Sequence, residues 1–311
     1  MSAAKRASLI KKTFTVLKKQ FPKVQLPVKD RPILEQLLYA CCLENATPDQ
    51  ATEAFSKVQT RYVDWNEVRV TTVSELTEVM GCLPRAAESA RNLRRVLFNV
   101  YETHFSFDLS FMAKEGLSKA TATIKGYYDE IPNFVVNYTV QNGLGGHAIP
   151  LSDGALDALE ILSIVTPKGR QSGKVAGLER TIAKNKGVEF GSLLHILGAQ
   201  LAEDPYGKKT HEILLKINKG CTDNLPVKPS KKSAAAEKEE TGNSKKVARK
   251  ITTKKAASKK KKAAPKKKKA APAKKKAAPK KKKVAPAKKK AAPKKKKATP
   301  KKKSGRPKKP R

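Results

Sequence analysis

The C-terminal part of the sequence sets the limit on what can fold. From Lys259 onward the chain is built of lysine, alanine and proline, and a proline recurs at every seventh position: 265, 272, 279, 286, 293, 300 and 307. A seven-residue period is typical of coiled coils, but a proline inside a helix costs about 3 kcal/mol, and no Leu, Ile or Val seam accompanies it. The period therefore does not predict a coiled coil.

Charge and composition divide the chain near Pro226. Residues 228–311 contain 39 Lys+Arg and 3 Asp+Glu, a net charge of +36, whereas residues 1–227 contain 29 and 24, a net charge of +5; together they give the formal +41. Nearly all apolar side chains of 228–311 are alanines, which bury too little surface to offset the entropy of ordering. We therefore predict a folded domain over 1–227, as one domain or two small lobes, and a disordered tail over 228–311.

The tail is suited to bind phosphates. Each lysine that meets a phosphate releases counterions, which gives an affinity that is independent of base sequence and falls with salt. The pattern resembles the C-terminal tails of linker histones and histone-like bacterial proteins, and implies duplex DNA as partner. Residues 304–311, SGRPKKPR, partly resemble an AT-hook, with Arg306 as the residue that enters the minor groove. The alternatives are a solubilising or targeting tail and a chance match at 304–311.

Several protein classes are not expected. The cysteines are Cys41, Cys42, Cys82 and Cys221, with no C-x-x-C pair, so neither a disulfide framework nor a zinc site is predicted. The basic N-terminus has no continuous apolar run, and no segment approaches the ~18 apolar residues of a membrane helix. We expect an intracellular, soluble protein in a reducing compartment, without a metal, a membrane or a small-molecule cofactor as partner.

The folded part is predicted to be all-α. Asp30 is a candidate cap for the helix that follows it, with Pro32 in its first turn, and Thr47, Pro48 and Gln50 form a capping-box pattern. Apolar periodicity predicts helices over about 30–44, 47–62, 84–105, 118–130, 132–142, 152–165, 175–186, 189–203 and 207–219. No alternating run is long enough to predict a sheet.

The order of these helices resembles that of the helix-hairpin-helix DNA glycosylases of the endonuclease III type. The resemblance covers residues 28–205 and is carried by ILEQLLYACCLENATPDQATEAFSKV, MGCLPRAAESARNLRRVLFNVY and YYDEIPNFVVNYTVQNGLGGHAIPLSDGALDAL. It implies a helical domain that binds duplex DNA through a hairpin and a basic helix, with Arg91 and Arg95 as DNA-backbone contacts.

The hairpin departs from the family pattern. Where the family has Leu-Pro-Gly-Val-Gly before a basic residue, this chain has Ile-Pro-Asn-Phe-Val-Val-Asn, so the hairpin residues are Pro132, Asn133, Phe134, Val135 and Asn137. Loss of both glycines implies a weaker or reshaped phosphate clamp. The position of the lysine that forms a Schiff base in bifunctional members is Asn137, and an amide cannot attack the sugar, so lyase activity is not expected.

Asp153 stands where the resemblance places the catalytic aspartate. A carboxylate there would stabilise the cation that forms on the deoxyribose, which is what a monofunctional glycosylase requires. The structural alternative is that Ser152 or Asp153 only caps the following helix.

Other site residues follow from the resemblance. An extruded base needs a pocket with stacking faces, and Tyr127, Tyr128, Phe134 and Tyr138 are candidates, with His147 as a candidate acid or base. The iron–sulfur loop of many family members needs four cysteines, and only Cys221 lies in that region, so no cluster is expected. Cys41, Cys42 and His195 are interpreted as packed residues.

Two functions fit the sequence. The first is a base-excision-repair protein: a monofunctional DNA N-glycosylase held on DNA by its basic tail. The second is a non-enzymatic, histone-like nucleoid or chromatin protein with a degenerate glycosylase domain. Both predict a DNA-associated location, in a bacterial nucleoid or cytoplasm or in a nucleus. RNA binding ranks last, because the sequence lacks the aromatic signatures of RNA modules.

Overall fold

The structure, a computed structural model, describes residues 1–228, and within this range the chain is helical and contains no β-strand. The all-α prediction is therefore confirmed for the described part. The predicted tail, including Arg306, lies outside the described residues apart from Lys228. No described helix is both long and apolar enough to cross a bilayer.

Thirteen α-helices follow one another along the described residues. They are α1 Ala3–Gln20, α2 Ile33–Leu43, α3 Pro48–Arg61, α4 Trp65–Val70, α5 Val73–Val79, α6 Ala86–His104, α7 Leu117–Lys125, α8 Asn133–Asn142, α9 Asp153–Ile161, α10 Pro167–Gln171, α11 Leu178–Thr181, α12 Lys184–Glu203 and α13 Lys208–Ile217. Short 3₁₀ segments span Ser110–Ala113 and Lys219–Asn224.

Local sequence explains where several helices begin. At α3 the Thr47 hydroxyl accepts from the Gln50 backbone N–H at 3.3 Å, and the Gln50 side chain accepts from the Thr47 backbone N–H at 3.0 Å, so the predicted capping box is confirmed. At α9 the cap is Ser152, whose Oγ accepts from the Ala155 N–H at 3.4 Å, and Asp153 is the first helical residue.

Several boundaries differ from the prediction: the helix predicted over 152–165 ends at Ile161, and the one predicted over 189–203 begins at Lys184. Pro32 is the residue before α2 and makes no side-chain cap, so the prediction of Asp30 as the cap, with Pro32 inside the first turn, was wrong. The helix predicted over 118–130 ends at Lys125, because the chain turns at Gly126. The helix predicted over 175–186 is only Leu178–Thr181, preceded by Gly177 in the left-handed region at φ 80°.

Two hydrophobic cores lie side by side in one compact unit. Helices α2 to α8 enclose the first core, and α1 joins α9, α11, α12 and α13 around the second. The first helix, α1, thus belongs to the second core, the next helices, α2 to α8, form the first core, and from α9 onward the chain belongs to the second core again.

The second core depends on a close crossing of α9 and α12. A Cβ on Gly154 would lie 2.7 Å from the carbonyl carbon of Gly198, and a Cβ on Gly198 would lie 2.8 Å from the Cα of Ala155. Both obstacles are backbone atoms, which cannot rotate away as a side chain can. The two glycines therefore set the distance between these helices.

Gly198→Ala should lower the free energy of unfolding by about 2 to 3 kcal/mol, because the helices must separate and leave a poorly packed seam. A matched control is Gly191→Ala on the same helix. The nearest atom to its Cβ would be Pro150 Cδ at 3.4 Å, an ordinary contact with a side chain, so stability should stay equal or rise by up to ~1 kcal/mol. Urea denaturation followed by far-UV circular dichroism measures both. Equal stabilities of the two variants would contradict the close crossing.

Candidate functional site

Two cavities lie at the boundary between the cores, and no described residue lines both. The aromatic cavity has a volume of about 220 Å³ and is lined by Gln25, Leu26, Pro27, Val28, Arg31, Tyr39, Leu43, Pro48, Thr52, Phe134, Tyr138, Gln141, Pro150, Gly191, Ser192 and His195. The carboxylate cavity has a volume of about 450 Å³ and is lined by Asn45, Ala46, Thr47, Gln50, Pro84, Arg85, Asp153, Gly154, Asp157, Ala199, Ala202 and Glu203.

A continuous series of rings forms one wall of the aromatic cavity. The ring centroids of Tyr39 and Tyr138 are 6.0 Å apart, as are those of Tyr138 and Phe134. Phe134 in turn stacks on His195 at 5.3 Å. These spacings are typical of favourable aromatic pairs, so the wall presents fixed apolar faces.

Arg31 brings a positive charge to this cavity. Its guanidinium carbon lies 4.1 Å from the centroid of the Tyr39 ring and 5.2 Å from that of Phe55, so two rings stabilise the cation. Its Nη1 is buried and has no hydrogen-bond partner among the described residues. No described carboxylate lies within 4.0 Å of the guanidinium.

His195 has one nitrogen fixed and the other left free. Its Nε2 lies 2.9 Å from the carbonyl oxygen of Ala46, and because a carbonyl only accepts, Nε2 carries the proton. Burial lowers the pKa of this imidazole to about 4, against a smaller opposing effect of the Ala46 hydrogen bond, so the ring is neutral. Nδ1 is then an acceptor, and it is buried without a partner among the described residues.

Tyr138 supplies a third polar atom without a partner. The side chain is 3% exposed, and its hydroxyl makes no hydrogen bond to a described residue. Burial raises the pKa of this phenol, and the nearby Arg31 lowers it by less. A buried polar atom without a partner costs about 1–3 kcal/mol. Arg31, His195 and Tyr138 place three such atoms on the residues that line one small cavity.

Asp153 lies in the other cavity. Its side chain is 59% exposed, and Oδ2 is 3.9 Å from the Arg85 guanidinium, which is 54% exposed. An exposed pair at this distance contributes little to stability. Because Ser152 supplies the cap of α9, the Asp153 carboxylate remains free to interact with a ligand or with water.

Glu44 is the second carboxylate of this region. It follows Leu43, which lines the aromatic cavity, and precedes Asn45, which lines the carboxylate cavity. Burial raises its pKa from the ordinary 4.5 to about 8; Asp153 and Glu88 add to the rise, and Arg85 opposes it. Glu44 is therefore largely protonated at neutral pH, beside an exposed Asp153.

The predicted hairpin consists of α7, a turn over 126–132 and α8. Pro132 precedes α8 and gives no side-chain cap, and the first turn contains no acidic residue. Asn133 is exposed and lies against Gly173, whereas Phe134 and Val135 are buried. Asn137 is half-buried in the first core and lines neither cavity.

The other predicted base-pocket residues are dispersed. Tyr127 is buried and hydrogen-bonds with His104 at 3.2 Å. Tyr128 is half-buried, with the Arg95 guanidinium 5.8 Å from its ring centroid. His147 Nε2 donates to the Glu179 carbonyl oxygen at 2.8 Å. Of the five candidates, Phe134 and Tyr138 line the aromatic cavity, and Tyr127, Tyr128 and His147 do not.

The basic helix α6 presents both predicted arginines to solvent. Arg91 and Arg95 are four residues apart on the exposed face, and Arg95 also pairs with Glu130 at 3.5 Å. The opposite face of α6 packs in the first core. Cys41, Cys42 and Cys221 are buried, and residues 1–228 contain no group of three or more His, Cys, Asp or Glu arranged to hold a metal ion.

Sequence reasoning missed Arg31 and Glu44. Arg31 stands beside Pro32 in a connecting segment, where an arginine gives no periodic signal. Glu44 reads as an ordinary polar residue at the end of α2. Their importance comes from rings and charges that lie far from them in sequence.

The chain is similar to several solved structures. No protein-family model and no curated protein matches the sequence. A trapped covalent intermediate of endonuclease III with DNA shares 13% identity, at a TM-score of 0.46, over 64% of this chain and 88% of that one. The structure of a thermostable thymine-DNA glycosylase shares 12% sequence identity with this chain at a TM-score of 0.45, over 64% of this chain and 88% of that one. The crystal structure of the H. pylori 3-methyladenine DNA glycosylase bound to 1,N6-ethenoadenine shares 13% sequence identity with this chain at a TM-score of 0.40, over 69% of this chain and 99% of that one. Function is therefore inferred from the side chains of this chain.

Glu44→Gln should change how stability depends on pH. Since the pKa of Glu44 is about 8 in the folded chain and 4.5 ordinarily, the folded state binds more protons between these values, and the free energy of unfolding falls as pH rises through this window. The variant lacks this fall. Relative to the unmodified chain it should gain on the order of 1–2 kcal/mol between about pH 5 and about pH 9, allowing for partial exposure.

Urea denaturation at several pH values measures this difference. Glu102→Gln, which alters an exposed glutamate of α6, is the control and should follow the unmodified chain at every pH. A Glu44→Gln profile that also stays parallel to it would show that Glu44 titrates normally.

Proposed function

We propose that this protein binds duplex DNA, takes one extruded base into the aromatic cavity and hydrolyses its N-glycosidic bond without lyase chemistry, as in base-excision repair. The observation that carries the proposal is the aromatic cavity itself. Rings line it, and Arg31, Tyr138 and His195 bring buried polar atoms without partners. A flipped base needs this combination of stacking faces and hydrogen-bonding groups.

The size of the cavity fits one heterocycle. Its volume of about 220 Å³ exceeds the ~150 Å³ of a cavity that holds benzene and lies below the ~300–1,000 Å³ of pockets for drug-sized ligands. A single base therefore fits, with its sugar outside the cavity.

The neighbouring carboxylates provide chemistry for hydrolysis. Protonated Glu44 would donate its proton to the departing base as the electrons of the C1′–N bond move to that base. The Asp153 carboxylate would stabilise the positive charge left on the sugar, and a water molecule would add at C1′ and return its proton to Glu44.

DNA would be held at three places. The start of α8 offers backbone N–H groups with no acidic residue in the first turn, which favours a phosphate despite the lost glycines. Arg91 and Arg95 on α6 present cations, and residues 228–311 add a net charge of +36. Arg306 would enter the minor groove of A·T-rich DNA. Asn137 lacks the amine that lyase chemistry needs.

A second function, DNA binding without hydrolysis, is favoured by one observation. The aromatic and carboxylate cavities share no lining residue, and the hydrogen bond from His195 to Ala46 lies between them. If this separation persists on DNA, a captured base stays away from Asp153. The protein would then be an architectural or damage-recognising DNA binder.

Base release decides between these functions. Incubating the full chain with duplexes that carry single damaged or mismatched bases, then treating with alkali, reveals abasic sites. Asp153→Asn should lower the rate of release by about 100-fold or more, since it removes the charge that stabilises the sugar cation. Strand cleavage should require the alkali. Asp223→Asn, an exposed aspartate outside both cavities, is the control and should retain the rate.

Release that survives Asp153→Asn would exclude Asp153 from the reaction. No release from any duplex, with the helical domain folded, would favour binding without hydrolysis.

Removing residues 229–311 should weaken binding to undamaged duplex DNA and flatten its salt dependence. Each lost phosphate contact reduces the slope of log affinity against log salt by about 0.9, so the loss of several tail contacts gives a large change. Fluorescence anisotropy over a range of salt concentrations measures the slope for both chains. Equal slopes would show that the tail does not contact phosphates.

A further inference from the structure

The groups lining the aromatic cavity define a pattern of hydrogen bonding. His195 Nδ1 can only accept, because the ring is neutral and its proton is on Nε2. Arg31 Nη1 can only donate, and the Tyr138 hydroxyl can do either. The three atoms are buried and lack partners among the described residues. They belong to residues that line the cavity but are not themselves exposed to it, so a ligand reaches them only when these side chains turn toward it, and it must then offer at least one N–H donor and one acceptor.

The cavity also carries a net positive charge. Arginine stays charged at any physiological pH, and no described carboxylate lies within 4.0 Å of the Arg31 guanidinium. The rings of Tyr39 and Phe55 that stabilise it add no formal charge. His195, the other titratable base of the lining, is neutral. A second cation placed in this apolar space meets a like charge with little water to screen it.

We infer that the aromatic cavity selects uncharged bases with both a donor and an acceptor on the ring edge, and rejects bases that carry a permanent positive charge. The candidate substrates are therefore deaminated, oxidised or mismatched bases, and ring-alkylated cationic bases are excluded. This inference rests on the proposed function, because it concerns the base that enters the same cavity. The repulsive element that sets the specificity is Arg31.

Binding of free nucleosides tests the inference without requiring catalysis. Ligand-observed NMR titrations of the full chain would compare adenosine and inosine, which are neutral, with 1-methyladenosine, which is a cation at neutral pH. The cation should bind at least about tenfold more weakly than adenosine, because of its repulsion from Arg31. The basic tail is present in every titration and repels the cation equally throughout.

Variants of Arg31 separate the effect of this residue from that of the tail. Arg31→Gln should reduce the preference for adenosine over the cation to about threefold or less, since the like charge is gone. Arg31→Lys retains the charge without the planar guanidinium and should keep the preference. Arg69→Gln is the control: Arg69 also lies over a ring, with its guanidinium carbon 4.4 Å from the centroid of Tyr101, but outside the cavity.

Each outcome decides the inference. Weak binding of the cation that is relieved only in Arg31→Gln supports it. Equal binding of neutral and cationic nucleosides overturns the charge selection, while the cavity would remain a base site. No binding of any nucleoside also overturns it. In both of these cases the base-release assay still decides the proposed function independently, because that assay uses duplexes and Asp153.

Discussion

The hydrogen bond from His195 to the carbonyl of Ala46 is the contact on which the arrangement of the site depends. The two residues are 149 positions apart and belong to different cores. The ring of His195 also stacks on Phe134, so one buried side chain joins α12 of the second core to the loop between α2 and α3 and to α8 of the first. Burial of an imidazole is tolerable only in its neutral form. This neutrality explains why Nδ1 is an acceptor, and it leaves Arg31 as the one charged side chain among the described residues that line the aromatic cavity.

On the proposed function, the same contact would separate a part for recognition from a part for chemistry. On one side lie rings and hydrogen-bonding groups, and on the other lie Asp153 and Arg85. Glu44 lines neither cavity itself, but it follows Leu43 of the first lining and precedes Asn45 of the second. On the proposed function, a base held among the rings would bring its glycosidic bond toward this boundary.

Local sequence predicted the fold well, and the site only in part. The capping box of Thr47, Pro48 and Gln50 is formed by residues that are close together in sequence, so the start of α3 was predicted correctly. The prediction over 175–186 was wrong because it followed the apolar spacing and did not foresee that Gly177 takes a left-handed conformation, which starts the helix at Leu178. Tyr138 was identified from its residue type and place in the hairpin. Arg31 and Glu44 were missed because the properties of each depend on burial and on distant charges, which a single sequence does not display.

On the proposed function, the charge distribution would make selectivity the task of the helical domain. With a net charge of +36 on residues 228–311 and +5 on residues 1–227, most of the affinity for duplex DNA would come from contacts that do not distinguish bases. Tight binding of this kind would hold the domain on DNA, but it would also occur at every undamaged site, and those sites would compete with the damaged one. On the proposed function, discrimination would then come from the small cavity, through the steep cost of leaving Arg31, Tyr138 and His195 without partners when the wrong base enters. A cavity whose polar groups are unsatisfied in the free protein is thus well suited to complement a tail that binds any DNA.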